Sequence, residues 1–450
     1  MAQSLAMDAG LSQRTQKALR ELLPTFAAGA PQQQQQQQPP PHITDPFPPT
    51  IDLSRGLNEA IHPELLEFFH STLEDNIASE VPSPRPSKVA FAAPAASVNG
   101  GDRRLRYALA AFFNSYFNPI HTVKPEHIVL TSGAVDAVEN VIHAICDDGD
   151  CILAPGPHWS GFETILKRKA NVELIVAKPP TYSHWDNYLL PSLQAAYDFS
   201  DKRSRIKAVL LCNPNNPLSR CYPRETLLEL MEFCQERGLH LICDEVYALL
   251  ELSGTDSKAP DFVSALSLTE PLARAGAVKV DPSRVHVVWS ASKLFGMSGF
   301  RVGCLVSQQN PSLLHAMALT STHPSSLSTS HLSGLLSWSQ LPTLLALNSE
   351  RLTINYKMLA AVLRKHDVPF LAPSHGLCMF VRLAKRARTQ HDEARFYNDM
   401  ARWGGVMVAQ GKSFRGVERD FGWARLRFSV PVAEMEDAVR RIDVFMGKHG

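Results

Sequence analysis

Ser290-Ala291-Ser292-Lys293 follows directly on the apolar run Val285 to Trp289, and Arg301 stands eight residues beyond the lysine, between Gly299 and Gly303. A lysine at a strand end is placed to form an imine with an aldehyde. A guanidinium nearby, helped by Ser290 and Ser292, offers a fixed fork of donors for a phosphate. A surface lysine with a structural arginine would give the same letters. Short S-x-S-K strings are common, whereas the whole stretch Ser290 to Gly303 is specific.

Four further groups sit at the ends of apolar runs. Asp244 closes Leu239 to Cys243, and Tyr247 lies three residues on. A buried carboxylate there needs a cationic partner, such as a protonated ring nitrogen. A helix-capping aspartate and a core tyrosine are the plainer alternative. Asn213-Pro214-Asn215-Asn216-Pro217 follows Val209 to Cys212 and reads as a turn, in which Asn216 could also donate to a ligand oxygen. Ser132-Gly133-Ala134-Val135 reads as a strand-to-helix turn whose amides would form an anion site. Trp159, in Pro157-His158-Trp159-Ser160-Gly161, could stack on an aromatic ligand or fill the core.

The elements that must position these groups repeat. Ile128 to Leu130, Cys151 to Ala154, Leu174 to Ala177, Ala208 to Cys212, Leu239 to Cys243, Val285 to Trp289 and Gly303 to Ser307 are short apolar runs. Helical stretches, such as Val135 to Cys146 and the one from Phe162, lie between them. Such alternation predicts an α/β fold with a mostly parallel sheet covered on both faces. Ligands of such sheets bind beyond the carboxyl ends of the strands, where the five groups fall. Helices are also expected at Pro63 to Leu73 and Gly100 to Asn114, with a loop from Pro82 to Pro94. After about Ser325 the pattern changes. A long helix, Leu341 to His366, precedes Met379 to Leu383 and Arg425 to Ser429, as in a smaller α+β domain. The expected division is a tail over 1–45, an N-terminal arm with part of the small domain over 46–95, a large domain over 96–325 and a small domain over 326–450.

Seven consecutive glutamines, Gln32 to Gln38, mark the tail as too polar to fold, with a helix conceivable only within Leu11 to Phe26. Net charge is +1 in 450 residues, which argues against nucleic-acid binding through a strong basic field. No apolar run is long enough for a membrane span, and no secretory signal is evident. The eight cysteines show no C-x-x-C pair, so no metal site is expected. Reduced thiols in a cytoplasmic protein are the simplest account.

Together and in this order, the five groups resemble the class I/II aminotransferases, which are fold-type I enzymes of pyridoxal 5'-phosphate (PLP). The similarity runs from about Ile51 to Met446. Arg284 to Lys293 and Gly422-Trp423-Ala424-Arg425 resemble the 1-aminocyclopropane-1-carboxylate (ACC) synthase-like branch in particular. The resemblance implies a large domain with a seven-stranded, mostly parallel sheet and a smaller α+β domain. It implies that Lys293 is the Schiff-base lysine and proton shuttle, that Asp244 pairs with the pyridine nitrogen, and that Asn216 and Tyr247 hold the ring oxygen. Ala134, Val135, Ser290, Ser292 and Arg301 would hold the phosphate, and Trp159 would stack on the ring. Arg425 and Asn58 would bind the substrate, although Arg427 points the same way as Arg425 on a strand. Leu57 stands where ACC synthases carry a Glu before the Asn, and Asn99 where they carry a Tyr that reaches the partner subunit. The implied protein is a homodimer that takes an amino acid and a keto-acid co-substrate. Elimination of a β- or γ-substituent is the competing activity, and a silent PLP fold used for binding is a third.

Overall fold

The computed structural model describes residues 50–78, 88, 100–180, 185–254, 259–269, 280–321, 323–415 and 420–449, together with Gln16, Lys17, Arg20 and Glu21. The glutamine tract, the Pro82 to Pro94 loop apart from Lys88, most of Leu11 to Phe26, and Asn99 lie outside the described residues.

Strands are numbered along the chain. β1 (Ile51–Asp52) belongs to the N-terminal arm. β2 (Ile128–Thr131), β3 (Cys151–Pro155), β5 (Glu173–Ala177), β6 (Ile206–Cys212), β7 (His240–Asp244), β8 (Val285–Ser290) and β9 (Gly303–Val306) form one seven-stranded sheet, in the order β2-β9-β8-β7-β6-β3-β5. β9 is antiparallel to both its neighbours, and every other pair is parallel. β4 (His158–Trp159) pairs instead with β14 (Phe414–Arg415). A second, four-stranded sheet runs β10 (Phe370–Leu371), β11 (Cys378–Val381), β15 (Ala424–Arg427), β13 (Ala409–Gln410). β1 lies parallel to β12 (Val406–Met407), which docks the arm beside this C-terminal sheet.

The continuous apolar runs of the large sheet follow from burial on both faces. In β8, Val287 and Trp289 join the core on one face, whereas Val288 joins the core on the other. The helix Ala134–Ile145 closes the second face with Ala137, Val138, Val141 and Ile142. The helix Leu341–Lys365 matches its expected span to within one residue. The helix His62–Ala78 runs five residues past the expected Leu73, because the polar stretch after it contains no breaker.

One polar chain interrupts the second core. His240 Nδ1 and His286 Nε2 share a hydrogen bond of 2.9 Å, and His286 Nδ1 meets Ser307 Oγ at 3.0 Å. Burial holds both rings neutral, at about 4 for His240, where Arg284 also disfavours the charge and Asp281 opposes it, and at about 3 for His286. Both values are depressed, so the unfolded chain takes up protons first as pH falls below about 6.5. We expect stability to fall between pH 6.5 and 4, by roughly 1.4 kcal/mol per pH unit for each histidine. Urea midpoints measured at pH 7 and pH 5 check this. His240→Gln should flatten the slope, and an unchanged slope would show that the chain does not govern it.

Candidate active site

The carboxyl ends of β2, β3, β6, β7 and β8 share one edge of the sheet, and the candidate residues collect there. Lys293 sits on the one-turn helix Ala291–Leu294 that follows β8. Its Nζ donates to Gly56 O at 2.5 Å. Burial, helped by the Arg425 charge and opposed by Asp244, lowers the amine to about 8. That raises the neutral, nucleophilic fraction near physiological pH. Gly56 lies at the centre of the group. A Cβ there would stand 3.2 Å from Lys293 Nζ, 3.6 Å from the Tyr247 hydroxyl and 3.9 Å from Arg425 Nη1.

Asp244 ends β7, and among the described residues its carboxylate accepts a single long bond, from Val246 N at 3.3 Å. Burial raises it to about 7, against the pull of Lys293. A buried carboxylate so poorly satisfied fits a cationic ring nitrogen as its missing partner. Tyr247 is buried beside the lysine, with Lys293 Nζ 5.9 Å from its ring centroid, and burial raises its phenol. Asn216 accepts a bond from Arg425 Nη1 at 2.9 Å through Oδ1, which leaves its NH2 to donate elsewhere.

At the other end of the site, the helix Ala134–Ile145 begins at Gly133, whose φ is 92°. Arg301 Nη2 donates to Ser132 O at 2.7 Å, and Nη1 donates to Ser298 O at 2.9 Å. A Cβ on Gly133 would lie 2.7 Å from Arg301 Nη2, so only glycine lets the guanidinium approach the turn. β9 delivers Arg301 here because Gly303 pairs with both Thr131 and Ser290. The helix amides of Ala134 and Val135, the buried Ser290 and Ser292, and Arg301 therefore form a cradle suited to a phosphate.

Two arginines on β15 differ in their surroundings. Arg427 Nε donates to Asp52 O at 2.9 Å, and its Nη1 lies 3.1 Å from Glu59 Oε2, off ideal hydrogen-bond alignment. Arg425 donates to Asn216 Oδ1 and, at 2.7 Å, to Ser54 O, while its buried Nε has no partner. Its guanidinium carbon stands 5.2 Å from the Phe414 ring centroid. Among the described residues Arg425 has no carboxylate, whereas Arg427 has Glu59.

Two expected residues fall elsewhere. Asn58 is buried, and its NH2 donates to Lys293 O, Leu294 O and Asn348 Oδ1, while its Oδ1 accepts from Ala60 N. The structure thus puts it behind the lysine as a backbone clamp, with no amide group left for a substrate. Trp159 is 38% exposed and meets Phe162 edge-on at 5.7 Å. It stands at the rim, opposite Phe414, rather than in the buried cluster. Gly56, the Ser54 carbonyl and Phe414 were missed. A lone glycine in Arg55-Gly56-Leu57 and a solitary phenylalanine carry no signal of their own.

A family profile described as aminotransferase class I and II matches residues 98–442. A probable aminotransferase of Aspergillus oryzae is 34% identical over 443 residues, which cover 98% of this chain and 99% of that protein. One from Leptosphaeria maculans is 33% identical over 435 residues, 96% of this chain and 97% of that one. A 1-aminocyclopropane-1-carboxylate synthase of Malus domestica is 33% identical over 338 residues, 73% of this chain and 69% of the synthase. In fold the chain is similar to a Thermus thermophilus aspartate aminotransferase, a double mutant, with a TM-score of 0.70 at 20% identity, covering 97% and 99% of the two chains.

Proposed function

The chain belongs to the class I and II aminotransferase family of PLP-dependent enzymes, and from that premise we propose that it moves the amino group of an α-amino acid, with Lys293 as the cofactor's covalent anchor. The observation that supports this most is Arg425. A buried guanidinium without a carboxylate, beside a lysine amine lowered to about 8, is suited to an amino acid's α-carboxylate and Cα.

The cradle of Ala134, Val135, Ser290, Ser292 and Arg301 would hold the phosphate. When bound, PLP supplies an electron sink for negative charge on the substrate Cα. Asp244 keeps a proton on the ring nitrogen. Asn216 and Tyr247 donate to the ring oxygen. Arg425 exchanges Ser54 O for the substrate carboxylate and so fixes the direction of the Cα–H bond. Once the substrate's amino group has taken its place on the cofactor, the freed Lys293 Nζ would take the Cα proton and return it to a neighbouring carbon. Gly56 leaves room for these exchanges, since any side chain there would press on Nζ.

Elimination of a β- or γ-substituent would use the same residues, and the similarity to an ACC synthase supports it as the second reading. Keto acid formed from the donor in step with amino acid formed from an added keto acid marks transfer. Ammonia or thiol released without a second keto acid marks elimination. We extend the proposal to a cytoplasmic homodimer. The habit of the family supports the dimer, and eight unpaired cysteines accord with a reducing compartment. No helix among the described residues is long and apolar enough to cross a membrane. Light scattering of the purified protein tests the dimer, and a monomeric mass overturns it.

Arg425→Lys keeps the charge but loses the fork, so we expect kcat/KM to fall roughly tenfold or more, the worth of a charge-assisted bond of about 1.5–3 kcal/mol. The preference for amino acids over their decarboxylated amines should shrink with it. Arg427→Lys should leave that preference intact, because its neighbour is Glu59. The reverse pattern would transfer the role to Arg427.

A further inference from the structure

Asp136 stands third in the helix that begins the phosphate cradle, and it is buried. Gly133, at the cap position, has no side chain to hold the turn. Asp136 reaches back instead, and its Oδ2 accepts a bond from Ser132 N at 2.9 Å. The carbonyl of the same residue accepts Arg301 Nη2 at 2.7 Å. Ser132 is therefore gripped at both ends, by a carboxylate at its N–H and a guanidinium at its C=O. Thr131 Oγ1 adds a bond to Gly133 O at 3.0 Å. The direction of the first helix amides depends on this turn.

An anion beside an anion site would be unfavourable if its charge faced the pocket. Here it faces away. The other oxygen of Asp136 accepts Asn140 Nδ2 at 2.7 Å, and Lys169 Nζ lies 3.9 Å from it. Helix and lysine thus absorb the charge, while the carboxylate keeps one geometric task at Ser132. We infer that Asp136 is a positioning residue of the cofactor site: it sets the Ser132–Gly133 turn so that the amides of Ala134 and Val135, together with Arg301, converge on the phosphate. The inference rests on the assignment of that cradle to the PLP phosphate.

The test uses full-length protein freed of cofactor and titrated by visible absorbance with PLP and with pyridoxal, which lacks the phosphate. Asp136→Ala should weaken PLP about tenfold, the loss expected for one buried hydrogen bond whose donor is left unmet, and leave pyridoxal unchanged. Asp136→Asn keeps an acceptor for Ser132 N and should stay within about threefold of the original chain. The ³¹P resonance of bound PLP should move in the alanine variant and stay in the asparagine variant. Asp136→Ser, polar but too short to reach Ser132, gives the same readout should the alanine variant not fold. Equal weakening of PLP and pyridoxal, or none, overturns the inference, as does an asparagine variant as weak as the alanine one. Arg301→Ala separates the two levels: if it keeps the original preference for PLP over pyridoxal, the cradle assignment itself is wrong.

Discussion

Lys293→Ala protein is expected to turn over no amino acid at a measurable rate, while still taking up free PLP without a covalent bond. Two roles disappear together, the anchoring amine and the group that moves the Cα proton. Proton transfer by a positioned side chain alone is worth up to about 10⁴-fold, so a loss at least that large is expected. The cradle around Arg301 and the Asp244 end are untouched, which is why binding should persist. Borohydride reduction of the original chain followed by peptide mapping should put the cofactor on Lys293. Its uptake by stripped protein should quicken as pH rises and level off above about 8, where the lowered amine is mostly neutral. An adduct on another lysine, or a variant that keeps a few per cent of the rate, sinks the assignment.

Much of the sheet was legible because its strands are buried on both faces. Val285 to Trp289 is apolar but for His286, since Val287 faces one core and Val288 the other. The chemistry at strand ends was legible for a related reason. A charged residue directly after such a run, as at Asp244, or within the first turn beyond it, as at Lys293, has few locations other than the ligand edge. Contacts across the chain were not legible. Gly56 accepts from Lys293 over a separation of 237 residues, and no local periodicity encodes that bond. Asn58 reads as a substrate ligand in sequence, but its NH2 holds the backbone at Lys293 and Leu294, 235 and 236 residues away. Arg425 and Arg427 share one face of β15, and partners distant in sequence separate their roles, Asn216 and Ser54 for the first and Asp52 and Glu59 for the second. The pairing of β4 with β14 spans two residues on each side, below what any sequence pattern marks.

Asp244→Asn is expected to act in opposite directions on the stability of the stripped protein and on activity. The carboxylate is buried with one long bond, so in the cofactor-free protein its charge is a burden. Its folded value, about 7, lies above the ordinary 3.8. A raised value means that this one carboxyl's contribution to the stability of the cofactor-free chain is full below about pH 4 and declines as pH rises towards 7. Asparagine carries no charge and removes that decline, so stripped Asp244→Asn should melt no lower than the original chain at pH 7.5, and the difference between them should close near pH 4. With cofactor bound the order reverses. The original carboxylate gains a cationic partner, and breaking such a buried pair costs about 3–5 kcal/mol. An amide cannot keep the proton on the ring nitrogen, so the sink for Cα charge fails, and kcat/KM should fall roughly 10²–10⁴-fold by that magnitude. The bound cofactor's absorbance should lose its dependence on the protonated ring while PLP remains attached to Lys293. Thermal melts of stripped and loaded protein, read with the rates, decide between the roles. A near-normal rate with a lowered melting point in the stripped variant would reduce Asp244 to a cap for Val246.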